Sequence, residues 1–113
     1  MTNTGEVQEL TTQPAQRLTI LLGTRDHYHH GSLFVHLMQR ARKAKLAGAT
    51  AFEAYEGYGA SGQTHAKHSM TDDSPIGIVI IDRAERIQAF LLEASDLLQN
   101  IVTTIADIEI VEL

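Results

Sequence analysis

The order of local patterns restricts the fold of this chain most: apolar, β-rich runs and amphipathic helical stretches succeed one another as β-α-β-β-α-β. Leu18-Thr19-Ile20-Leu21-Leu22 reads as a first strand that stops at Gly23. Ser32 is placed to cap a helix whose Leu33, Phe34, Leu37, Met38, Ala41 and Ala44 share one face, with Gly48 as its left-handed stop. Thr50 to Tyr58 alternates around Phe52, Tyr55 and Tyr58 as a second strand. The polar stretch from Gly59 to Ser74 has no period and reads as a long loop, a kind of segment that often carries function in compact domains. Ile76 to Ile81 is a third strand, apolar on both faces. Asp82 and Glu85 have capping-box spacing before a stripe of Ile87, Phe90, Leu91, Ala94, Leu97, Leu98 and Ile101. A last strand spans about Thr103 to Glu112, with Ala106, Ile108 and Ile110 on one side and Asp107 and Glu109 on the other.

Two strand-helix-strand units in this order predict an α+β, ferredoxin-like domain: a four-stranded antiparallel sheet with both helices on one face. The first and third strands, the most apolar, belong in the centre. The second and fourth, which carry Glu53, Glu56, Asp107 and Glu109, belong at the edges. Leu21, Val79 and Ile81 then point to the face without helices, and an uncovered apolar face predicts a homo-oligomer. Residues 1–16, rich in Thr, Gln and Glu, are expected to form a mobile tail ahead of a domain at 17–113.

Composition narrows the function classes. A net charge of −5 argues against nucleic acid as a partner, although Arg40, Arg42, Lys43 and Lys45 make a local basic cluster. With no cysteine, disulfides, thiolate catalysis and cysteine zinc sites are excluded, which fits a cytoplasmic setting. No apolar run reaches the length of a membrane span and no signal-peptide pattern opens the chain. There is no serine elbow, Walker loop or partnered acid cluster, so no catalytic residue is assigned and an enzyme is not expected.

Gly57-Tyr58-Gly59-Ala60-Ser61, His65, and Asp72-Asp73-Ser74-Pro75 leading into Ile76–Asp82 together resemble the PII-like family catalogued as domain of unknown function 190. Asp26 followed by Tyr28-His29-His30, Gly48-Ala49-Thr50, Glu85-Arg86-Ile87 and Val102-Thr103-Thr104 extend the likeness from about Arg17 to Glu112. The resemblance implies a trimer in which an adenine nucleotide or related anion binds in clefts between subunits, while the 59–74 loop contacts a regulated transporter or enzyme. Where the family usually has Arg-Gly in its second strand this chain has Glu53-Ala54, a reversal of charge near the implied cleft.

The ligand-binding candidates are Gly57, Tyr58, Gly59, His65, Asp82, Arg83 and Arg86. The glycines permit close backbone approach to an anion, and Tyr58 offers a ring on which a base can stack. Asp82, Arg83 and Arg86 stand where a helix N-terminus favours negative charge. Two alternatives stand beside this reading. One is a trimer binding zinc or copper through loop histidines, His65 and His68 foremost, with His27, His29 and His30 in the other predicted loop and His36 in the first helix. The other is an interaction module with no small ligand, working through its open sheet face.

Overall fold

The computed structural model describes residues 10–53, 56–58, 64–66 and 74–113. Along them run β1 (Thr11–Gly23), β2 (His27–Tyr28), β3 (Gly31–Ser32), α1 (Leu33–Lys43), β4 (Ala49–Glu53), β5 (Glu56–Tyr58), β6 (Thr64–Ala66), β7 (Pro75–Asp82), α2 (Ala84–Glu93), a 3-10 turn (Ser95–Leu97) and β8 (Val102–Glu112). One antiparallel sheet has the spatial order β4-β7-β1-β8. The apolar strands β1 and β7 are therefore central and the charged ones are edges, giving the α+β, ferredoxin-like arrangement.

Alternation splits the sheet into two faces. Leu18, Ile20, Leu22, Ile76, Ile78 and Ile80 point to the helices and close a core with Leu33, Leu37, Ala41, Ile87, Phe90, Ala94 and Leu97. On the other face Leu21, Phe52, Ile81 and Val102 are 48%, 47%, 38% and 37% exposed, and no helix among the described residues packs over them. Phe52 lies across the central strand at Gly77, where an added Cβ would overlap its ring. The glycine is thus what lets an edge-strand aromatic reach over β7.

Several boundaries differ from the sequence expectation. β1 begins at Thr11, so residues 11–16 belong to a ladder with β8 that runs from Thr11↔Glu112 to Leu21↔Val102 rather than to a tail. Because β7 reaches only as far as Gln16, Thr11–Ala15 and Ile108–Glu112 project as a two-stranded ribbon. Pro14, which has no N–H to give, falls in this singly paired stretch. The second strand of the main sheet ends at Glu53; Glu56–Tyr58 pairs instead with Thr64–Ala66, so His65 sits in a hairpin strand rather than an irregular loop. His27 and Tyr28 likewise pair with Ser32 and Gly31, leaving His29 and His30 as the turn.

Both helices stop earlier than their apolar stripes suggest. Ser32 caps α1 as expected, its Oγ accepting from the Val35 amide at 3.3 Å. The left-handed residue after α1 is Lys45 (φ 57°), not Gly48. Leu46 N–H donates to the Ala41 carbonyl and Lys45 N–H to that of Arg42, the paired bonds of a Schellman ending. In α2 the N-cap is Arg83, with no side-chain cap bond, and Asp82 lies one residue before it. The helix gives way after Glu93 to the 3-10 turn, where Asp96 is engaged by side chains far away in sequence.

Candidate functional site

Asp82 ends β7 on the helix side of the sheet and is buried. Its Oδ2 accepts from the Ala47 amide at 2.8 Å and from Arg86 Nε at 3.0 Å, and its Oδ1 from the Arg83 amide at 2.7 Å. Burial alone pushes this carboxyl up, but the two amides and the Arg86 guanidinium outweigh it and hold it below the ordinary carboxylate value. Arg86 Nη2 reaches the carbonyls of Ala44 and Lys45, the negative end of α1. Asp82 and Arg86 therefore clamp the turn from Ala44 to Ala47 from both its amide and its carbonyl side. Arg86 has most of its donors committed to this clamp, whereas the exposed Arg83 guanidinium has no partner among the described residues.

A second cluster was not singled out from the sequence. Tyr28 Oη donates to Asp96 at 2.7 Å, and Arg40 bonds both Asp96 oxygens, at 3.2 and 3.0 Å, and Glu93 at 3.3 Å. It joins the β2–β3 hairpin, α1 and the 3-10 turn across 56 and 68 residues of sequence, so no local spacing could have announced it. The bonds from Arg40 and then from Tyr28 lower the Asp96 carboxyl to about 2, and its bond to Asp96 raises the Tyr28 phenol. Carboxyl-carbon NMR should find Asp96 titrating near 2, and Arg40→Ala should return it most of the way to the usual value of about 3.9. An Asp96 that titrates alike in both proteins would rule out the guanidinium as the cause. The ring of Tyr28 also meets His29 and His36 edge-on, at centroid distances of 4.3 and 5.3 Å.

The candidate residues fall into two groups. Gly57 lies opposite His65, and Tyr58 opposite Thr64, in the β5–β6 hairpin; Gly59 and His68 lie outside the described residues. This hairpin follows the end of β4 at Glu53, which pairs with Ile76 at the start of β7. Asp82, Arg83 and Arg86 lie at the other end of β7, about 20 Å away at the rise of an extended strand. A single chain thus brings together the three residues of the turn, and separately Gly57 and His65, but the root of the hairpin and the turn occupy opposite ends of one strand. Among the described residues no group of three or more His, Asp or Glu stands ready for a metal ion. No helix among them is long and apolar enough to cross a membrane.

The model of the DUF190 family (Uncharacterized ACR, COG1993) matches residues 15–110. The chain belongs to this family. A family relative is the UPF0166 protein of Aquifex aeolicus (strain VF5), 31% identical over 101 residues that cover 87% of this chain and 95% of the relative. Among solved structures, CPII of Thiomonas intermedia K12, a nitrogen regulatory PII-like protein bound to ADP, AMP and bicarbonate, superposes with a TM-score of 0.71 at 19% identity, covering 92% of this chain and 94% of CPII. Its form bound to ADP and bicarbonate gives 0.69, also at 19% identity, with 92% and 95% covered. This DUF190 chain therefore has the PII-like version of the ferredoxin-like fold.

Proposed function

We propose that this DUF190 protein is a PII-like regulator that assembles as a homotrimer through its open sheet face and binds an adenine nucleotide between subunits. The observation that carries this reading is the separation of the two candidate groups along β7. One protomer's hairpin root and its own Asp82–Arg83–Arg86 turn are too far apart to hold one small ligand together, so a cleft using both draws on two chains. Leu21, Phe52 and Ile81, exposed on the side without helices, with the half-buried Val79 among them, supply a surface for that assembly. CPII, which shares the fold, binds ADP and AMP, and this supports a nucleotide as the ligand.

In this proposal Arg83 meets the phosphates, since Arg86 is occupied by the clamp, and Gly57, Tyr58 and Gly59 with His65 approach from the neighbouring subunit. Ligand binding favours one arrangement of the 59–74 segment, which then presents a surface to a transporter or enzyme in the cytoplasm. Such coupling requires only that ligand and partner prefer the same arrangement. Calorimetry with ATP, ADP, AMP and cyclic dinucleotides, run beside analytical ultracentrifugation, tests it. A trimer that binds at least one adenine nucleotide is expected, with affinity falling about 10- to 100-fold in Arg83→Ala, the loss of a charge-assisted phosphate contact. Absence of heat across the panel would sink the nucleotide reading, and zinc or copper uptake in its place would favour the histidine alternative.

A further inference from the structure

The basic cluster at the end of α1 borders a cavity of about 340 Å³ on the helix layer, facing away from the sheet. Its floor is Leu46, Ala89 and Phe90, and its rim carries Arg40, Lys43 and Arg86 against the single acid Glu93. The chain as a whole has an excess of acids, so this local excess of cations runs against its net charge. The rim charges are not equivalent. Arg40 is neutralised by Glu93 and Asp96, and Arg86 by Asp82, whereas Lys43 has no ion-pair partner among the described residues.

The groove is also short. The Arg40–Glu93 bridge closes one end, and Arg86 bonded to the Ala44 and Lys45 carbonyls closes the other. A continuing helix or strand of another protein does not fit between two such closures, but a small molecule does, and the volume lies at the lower bound of ordinary ligand pockets. We infer that this groove binds an amphipathic organic anion, its apolar body on Leu46, Ala89 and Phe90 and its acid head on Lys43. The apolar contact supplies most of the affinity, and the lysine selects the charged form.

Octanoate is a suitable probe, with octanamide as its uncharged counterpart. Amide NMR titration of the full chain should move signals in residues 43–46 and 86–90, with a dissociation constant on the order of 1 mM for a ligand of about ten heavy atoms. Octanamide should bind more weakly. Lys43→Glu, at an exposed residue with no side-chain bond among the described residues, should weaken octanoate about five- to tenfold and leave octanamide unchanged. Ala89→Leu, also at an exposed position, should fill the floor and weaken both. Shifts centred on Leu21 and Phe52, equal binding of acid and amide, indifference to Lys43→Glu, or no saturable shift by about 10 mM would each overturn the inference. None of these readouts depends on nucleotide binding, so the two proposals stand or fall separately.

Discussion

Asp82→Ala is expected to destabilise the fold by about 3 kcal/mol, at the lower end of the range for breaking a buried pair because Arg86 is partly solvated. For a chain of this length that is a fall in Tm of roughly 15 °C. The substitution strands two amides, those of Ala47 and Arg83, and removes the counter-charge that steers Arg86 onto the α1 carbonyls. Asp82→Asn keeps an acceptor and should cost about half as much. The pH dependence has a definite sign. A carboxyl held below its ordinary value adds stability above the unfolded-state pKa of about 4 and loses it as pH falls through the depressed value. The gap between wild type and Asp82→Asn should therefore stay constant from about pH 8 to 5 and narrow in stronger acid. Thermal melts across that range measure it, and a gap that widens in acid would show that the carboxylate is not stabilising.

Val79→Glu should have the other large effect, on assembly. Val79 sits on central strand β7 opposite Thr19, on the face without helices. In a lone chain the new carboxylate reaches water, so circular dichroism should be unchanged. In a trimer closed through this face each subunit would bury an unpaired charge, costing several kcal/mol per copy. Ultracentrifugation should then move from the mass of three chains to that of a single 12.4 kDa chain, and nucleotide heat should disappear with the clefts. A Val79→Glu protein that still sediments as a trimer would place the contact elsewhere.

The sheet was legible because its code is local. Alternation through Leu18, Ile20 and Leu22 and the continuous run Ile76–Ile81 can be read one residue at a time, and they fix which strands are central. What escaped was set by tertiary partners. Thr11 to Gln16 carry no apolar signal, and their strand exists because β8 pairs with it across some ninety residues. Lys45 accepts a left-handed backbone where Gly48 was available three residues later, because Arg86 and Asp82 hold the turn where it is. For the candidate site, the sequence placed Asp82, Arg83 and Arg86 together but read Asp82 as a helix cap. Beside its local bonds to Arg83 and Arg86, its bond to Ala47 spans 35 residues, a distance no capping motif encodes.

The ribbon formed by Thr11–Ala15 and Ile108–Glu112 has one further consequence. A two-stranded antiparallel pair standing alone in water is marginally stable. Its outer hydrogen bonds have no third strand behind them, and Ile110 and Val111 remain exposed along it. Amide protons of Thr11, Thr12 and Gln13 should thus exchange with solvent far faster than those of Leu18–Leu22 whenever the chain is dilute, and slow down where other copies shield the ribbon. Exchange at these few amides would then depend on protein concentration while the core's does not, so the ribbon would act as a built-in gauge of self-association.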